Sequence, residues 1–239
     1  MRAFFLAVDK PPGVTSHDVV AMLRAVTGAR KVGHSGTLDP FATGVLALAF
    51  GSATRLISYL DEDLKVYDAT VALGAATDTG DPTGSVVREA PVPDLDEATV
   101  LAALAGFKGV RMQAPPRYSA VKVKGKALYA YAREGVEMEA APRPIRIDGI
   151  ELIALSPASL RVRIRCGRGT YARVLADEIA VALGTAGHLS ALRREQTGPF
   201  LAEGALTLEA LGQIVGGSSD WPAGPSCRST HCWAPVEPS

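Results

Sequence analysis

Residues 45–50 read VLALAF, apolar without a break and flanked by Gly44 and Gly51. So short an apolar run between turn residues reads as a strand with both faces buried. It constrains the fold more than any other segment, because the sheet that contains it needs cover on both sides. Residues 4–8 read as another short buried strand, followed by the turn Lys10-Pro11-Pro12-Gly13. Ser16 is the expected cap of a helix carrying Val19, Val20, Leu23 and Val26, closed by Gly28.

Beyond the glycine-rich loop over 33–43, a helix is expected over 53–60 and a strand over 66–73. Asp94 or Asp96 is the expected cap of a helix over 98–104. After Pro115-Pro116 come a strand over 118–123 and a helix over 126–133, then strands over 145–155 and 160–166. The last of these alternates, with Leu160, Val162, Ile164 and Cys166 on one face and Arg161, Arg163 and Arg165 on the other. That places Cys166 in the core. A helix over 170–183 shows Leu175, Ile179 and Leu183 at i, i+4, i+8. Strands and helices interleave without repeating βαβ units. The expected class is therefore α+β: a mixed, largely antiparallel sheet flanked by helices and loops. One domain is expected over 1–212, with an irregular tail over 213–239 where Gly, Ser, Pro and Trp crowd together.

The net charge is zero, which taken alone argues against a nucleic-acid partner. The balance conceals segregation: +3 over 1–60, −8 over 61–100, +6 over 101–146, −2 over 147–160, +4 over 161–200 and −3 over 201–239. Two basic blocks parted by acidic ones can build a basic face, or folding can scatter them. Cys166, Cys227 and Cys232 are too few for a disulfide framework. No apolar run approaches a membrane span, and the one at the N-terminus stops at Asp9-Lys10. The expected setting is cytoplasmic, with no membrane contact. The Cys227–Cys232 cluster lacks a second ligand pair, so no metal is expected.

The segment KVGHSGTLDPFATG over 31–44 carries the most chemistry. It holds neither a phosphate-binding Gly-Lys-Ser/Thr nor a dinucleotide fingerprint. Pro40 biases Asp39 towards an extended backbone, and the glycines allow tight turns and close approach. Such a loop can present one carboxylate to a ligand, or Asp39-Pro40 can simply start a turn. From these residues alone both readings stand.

The stretch GHSGTLDPFATGVL closely resembles the signature loop of the TruB family of pseudouridine synthases, usually read GHTGTLDPxATGVL. Four further blocks match in the same order: KPPGVTS from Lys10, KVYDATVALGAATDTGDPTG from Lys65, QAPPRYSAVKVKGKALYAYAREG from Gln113, and GTYARVLADEIAVALGTAGHLSALRR from Gly169. The match runs from about residue 5 to residue 212 and resembles the branch that modifies uridine 55 in the T arm of tRNA. It implies the pseudouridine synthase fold and a cofactor-free isomerisation. The uridine is flipped out, its C1′–N1 bond is broken, the base turns, and C5 joins C1′. Asp39 matches the nucleophile and must be ionised, so burial would have to be offset by a cation. Arg173 matches its arginine partner, and Tyr171 the tyrosine that removes the C5 proton. Tyr67 matches the tyrosine stacked on the target base, and His34 the histidine that fills the vacated space. Leu192 fits an apolar pocket wall, and Lys10 joins the substrate-binding set. Residues two apart on an ideal helix point about 200° apart. If Tyr171 and Arg173 share a site, the backbone at 171 must be extended and the helix must begin later.

The resemblance further implies a tRNA T stem-loop as substrate, gripped by a basic segment over about 105–146, with Arg168, Arg193 and Arg194 as further phosphate contacts. A monomer without guide RNA is expected. The Cys166-Gly167-Arg168 segment stands where bacterial relatives commonly carry Cys-Ser-Lys, which keeps a cation. Nothing after Leu211 resembles the RNA-binding PUA domain that relatives usually carry. Two other readings compete: an RNA-folding module with dispensable isomerase activity, and a guide-RNA-dependent subunit.

Overall fold

The computed structural model describes residues 3–60 and 64–216. The chain opens with β1 (Phe4–Lys10), α1 (Ser16–Thr27), β2 (Val32–Ser35) and β3 (Thr43–Phe50), then a 3₁₀ turn (Gly51–Leu56) and α2 (Ile57–Leu60). Next come β4 (Lys65–Leu73), β5 (Ala75–Thr77), β6 (Val86–Glu89), α3 (Glu97–Ala105), β7 (Gly109–Gln113), β8 (Lys122–Val123) and β9 (Lys126–Ala127). The remainder is α4 (Leu128–Arg133), β10 (Arg143–Ser156), β11 (Ser159–Cys166), α5 (Ala172–Ala182), β12 (Gly187–Thr197), β13 (Phe200–Leu201), β14 (Leu206–Thr207) and α6 (Leu208–Gly216). The described residues form two compact units, one within 3–67 and 193–216, the other of residues 68–192.

In the first unit the strands run β14-β1-β3-β12, with β2 also along β3 and β13 beside β12. β3 is antiparallel to β1 from Phe4↔Phe50 to Lys10↔Gly44, and antiparallel to β2 from Val32↔Phe50 to Ser35↔Ala47. Its start is parallel to β12 at Arg193↔Thr43 and Arg194↔Gly44. Paired along both edges, Val45 to Phe50 are at most 1% exposed, as the apolar run required. Leu46, Leu48 and Phe50 cluster with Val19, Val20 and Leu23 of α1 and Leu208 and Leu211 of α6. Alternation turns Ala47 and Ala49 to the other face.

Three expectations here are corrected. Thr15, not Ser16, caps α1: its hydroxyl accepts from Asp18 N at 3.0 Å while the Asp18 carboxylate accepts from Thr15 N at 2.8 Å. Residues 33–35 leave the expected loop and, with Val32, pair with β3, so His34 sits in a strand. A 3₁₀ turn precedes α2, replacing a single helix over 53–60. Gly28 closes α1 at φ 65°, as expected.

In the second unit the order is β12-β4-β11-β10-β7, with hairpins β5–β6 and β8–β9. β10 is antiparallel to both β11 and β7. Leu160, Val162, Ile164 and Cys166 are at most 2% exposed, which confirms the alternating strand and the buried thiol. Asp96 caps α3 through Thr99 N at 2.7 Å, and α3 packs on β10 and α5. The strand expected over 118–123 shrinks to Lys122–Val123 because the upstream carbonyls are used elsewhere. Tyr118 O accepts from Arg173, Ser119 O from Tyr129 N and Val121 O from Leu128 N.

Across both units antiparallel pairs predominate, with β1–β14 and β3–β12 parallel, so the sheet class is as expected. α6 continues to Gly216, past the tail boundary expected at 213. Residues 217–239, with Cys227 and Cys232, lie outside the described residues. No helix among the described residues is long and apolar enough to cross a membrane.

Candidate active site

In the first unit, Asp39 stands on the turn between β2 and β3, half-buried. Both flanks of this turn are tied to residues 13–16. Leu38 N donates to Ser16 Oγ at 2.9 Å, and Ser16 Oγ donates back to Leu38 O at 3.1 Å. Pro40 O accepts from Gly13 N at 2.8 Å, and Ala42 N closes on Asp39 O at 3.1 Å. Ser16 is free for this task because Thr15 takes the cap. A carboxylate held between such anchors needs little reorganisation to meet a substrate.

Lys10 lies beneath the turn with no exposed surface. Its Nζ donates to Val14 O at 2.8 Å, Pro11 O at 2.9 Å and Pro40 O at 3.3 Å. An ammonium has three donors, and all are engaged. No donor remains for a phosphate, so Lys10 belongs to the scaffold of the Asp39 turn. Burial pushes its pKa down from 10.5 to about 8, against the opposing pull of the Asp39 charge. The unfolded chain therefore keeps this proton between pH 8 and 10.5 while the folded chain releases it. Stability from this group accordingly rises with pH across that window. Melting wild type and Lys10→Met from pH 7 to pH 10.5 should show the gap between them shifting in favour of wild type as pH rises. A constant gap would contradict the assignment.

Arg194, expected at a phosphate, is also fully buried. Its Nε donates to Val45 O at 2.8 Å and its Nη2 to Gly36 O at 3.2 Å, so one guanidinium staples the two ends of the Asp39 turn. Arg193 forms a bidentate pair with Asp9 at 2.7 and 3.0 Å. His34 is half-buried in β2 opposite Leu48, and Tyr67 in β4 is buried with 8% exposure. Lys10, His34, Asp39 and Tyr67 thus share the first unit.

Tyr171, Arg173 and Leu192 fall in the second. α5 begins at Ala172, two residues later than the expected start, and Tyr171 is its extended N-cap at φ −96°, ψ 105°. Arg173 follows in the first turn and is buried. Its Nη1 donates to Thr79 O at 2.7 Å and its Nη2 to Tyr118 O at 2.8 Å. Asp81 lies 3.9 Å from the same guanidinium. That carboxylate, itself buried, accepts from Thr79 Oγ1 at 2.8 Å, Thr83 N at 2.9 Å and Thr83 Oγ1 at 2.5 Å. Leu192 is a buried residue of β12.

Asp81 and Gln113, whose amide bonds the Tyr171 backbone, were not singled out from the sequence. Both lie in blocks that carried the resemblance. The available signal for Asp81 was a carboxylate among threonines in TDTGDPTG. Arg161 pairs with Asp68 through two donors, and Arg88 with Asp177. Folding thus sets these arginines against carboxylates 93 and 89 residues away in the chain.

A carboxylate on a rigid turn, a buried guanidinium and a phenol are groups for nucleophilic and acid–base chemistry. The fold is that of the pseudouridine synthases, and this chain is an isomerase of that class. One aligned structure is the chain in "Crystal Structure of a Cbf5-Nop10-Gar1 Complex", at TM-score 0.68 and 30% identity over 91% of this chain and 57% of that one. Another is in "Structure of H/ACA RNP bound to a substrate RNA containing 2'-deoxyuridine", at TM-score 0.65 and 27% identity over 91% and 56%. The model "TruB family pseudouridylate synthase (N terminal domain)" matches residues 24–172, and "tRNA pseudouridylate synthase B C-terminal domain" matches residues 173–219. The chain belongs to the TruB family of pseudouridylate synthases. Among its relatives, a tRNA pseudouridine synthase B of Opitutus terrae is 47% identical over 86% of each chain. Its namesake from Aromatoleum aromaticum is 47% identical over 86% of this chain and 67% of its own.

Proposed function

We propose that this chain converts uridine 55 in the T loop of tRNA to pseudouridine, as a monomer without guide RNA or cofactor. The observation that carries this reading is Asp39, held in a signature loop whose flanks are tied to Ser16, Gly13 and Lys10. In this reading the Asp39 carboxylate bonds either C1′ or C6, and the C1′–N1 bond breaks with its electron pair left on N1. The uracil turns and C5 joins C1′; the bond to Asp39 breaks either as C5 joins or as the ring double bond re-forms, and the carboxylate is returned. The C5–H bond breaks, its electron pair restores the ring double bond, the proton passes to the Tyr171 oxygen, and N1 takes up a proton in exchange. Arg173 takes the role of the family's arginine partner, and Asp81 with Thr79 and Tyr118 sets the pose of its guanidinium. His34 takes the space of the flipped nucleotide, and Leu192 lines the pocket. Cations over 105–146 grip the RNA.

Freedom from guide RNA is favoured by the 47% identity to tRNA pseudouridine synthases B, against 27–30% for the chains from the H/ACA and Cbf5 assemblies. The test incubates the purified chain with full-length tRNA and with an isolated T-arm stem-loop, and maps pseudouridine by position. Modification of the T-loop uridine in both is expected. Modification elsewhere, or only with added guide RNA, would overturn the proposal.

Flipping the uridine costs a few kcal/mol, and a stacked aromatic returns part of it. Tyr67→Ala should therefore weaken catalysis by about 1–3 kcal/mol, roughly 5- to 150-fold in turnover. Single-turnover kinetics on T-arm RNA measure this directly. Unchanged kinetics would remove Tyr67 from the stacking role.

A further inference from the structure

We propose that Gln113 is a positioning residue for Tyr171, its carboxamide acting as a strand neighbour that holds residue 171 out of the helix. This rests on the reading of Tyr171 as the group that receives the C5 proton.

A helical backbone at 171 would turn the phenol about 200° from the Arg173 side chain. The chain avoids this by leaving Tyr171 extended, one residue before α5 starts. No side chain caps the helix there, so the conformation needs another source. Gln113, at the end of β7 and 2% exposed, supplies it. Its Oε1 accepts from Tyr171 N at 2.8 Å, and its Nε2 donates to Tyr171 O at 3.3 Å. One donor and one acceptor thus meet the N–H and C=O of a single residue, the pattern of a hydrogen-bonded antiparallel pair. Gln113 is itself fixed opposite Arg143 in β10. Tyr171 O also accepts the first α5 bond, from Leu175 N at 3.1 Å.

Five residues along the same segment, Tyr118 O receives Arg173 Nη2 at 2.8 Å. Residues 113–118 therefore set two side chains that stand two apart in sequence, one through its backbone and the other through its guanidinium. Among side chains of this length only a carboxamide offers a donor and an acceptor together. Gln113→Glu keeps the shape but places an acceptor against Tyr171 O, and Gln113→Leu removes both bonds.

The test compares single-turnover rates on T-arm RNA carrying uridine or 5-deuterouridine at the target, with RNA affinity and melting measured alongside. Displacing the phenol slows C5 deprotonation selectively. Both variants should lose about 10²-fold in rate, bind RNA as wild type does, and show a deuterium isotope effect larger than that of wild type. Should Gln113→Leu not fold, Gln113→Glu decides alone. A lowered rate with the wild-type isotope effect would mean a purely structural role and overturn the proposal, as would an unchanged rate. Tyr171→Phe is the reference. If it turns over like wild type, the reading of Tyr171 fails and the proposal with it. If only the Gln113 variants match wild type, the proposal alone fails.

Discussion

Asp39→Asn is expected to abolish pseudouridine formation, with a loss of at least about 10⁴-fold in single-turnover rate, because it removes the proposed nucleophile. The substitution is nearly isosteric. The anchors of the turn are Leu38 with Ser16 and Pro40 with Gly13 and Lys10, and none of them uses the Asp39 carboxylate. The variant keeps these backbone anchors, and T-arm RNA binding is expected to stay within about tenfold, or 1.4 kcal/mol. Rate and affinity are measured on the same RNA, so a folding defect would appear in both. Turnover near wild type would take Asp39 out of the reaction whatever its family resemblance.

Gly44→Ala destabilises the chain by about 3 kcal/mol or more, beyond the usual cost of a point substitution. Gly44 has φ +103°, a conformation that side chains rarely adopt, and strain of this kind costs about 1–3 kcal/mol. The steric conflict is larger. A Cβ there would stand 2.6 Å from Arg194 N and closer still to Arg194 O. Both are backbone atoms of the parallel β3–β12 bridge and cannot swing aside. For a chain of this size such a loss lowers the melting temperature by about 6–12 °C. Gly28→Ala is the internal control. It also has positive φ, at +65°, but nothing lies within 4 Å of its added Cβ, so it should cost only about 1–2 kcal/mol. Equal losses at the two positions would refute the steric account. Because Arg194 staples Gly36 O to Val45 O, the Gly44 variant should also lose activity beyond its unfolded fraction.

Much of the architecture could be read one residue at a time. The burial of Val45 to Phe50, the alternation that hides Cys166 and the Gly28 stop all follow from local periodicity or backbone freedom. The blocks that identify the family are likewise contiguous, and they pointed to Asp39, Tyr171 and Arg173 without coordinates. The choice of Thr15 over Ser16 as cap did not follow, because either hydroxyl could cap and the decision came from Leu38, 22 residues away. Strand β2 was missed because GHS has weak strand preference, and its pairing with β3 outweighs that.

The same division separates the groups we propose for the chemistry from the groups that hold them. Asp39 and Tyr171, the proposed nucleophile and proton acceptor, stand in recognisable strings, because a motif keeps a given side chain at a given place. Lys10 and Arg194 look like solvated cations in the chain, and only folding buries them under the Asp39 turn with their donors on carbonyls. The Tyr171 backbone is bonded by Gln113, 58 residues upstream, and the Arg173 guanidinium by Thr79 and Tyr118, 94 and 55 residues upstream. Periodicity and propensity act over a few residues, whereas a buried donor finds its acceptor only when distant strands close.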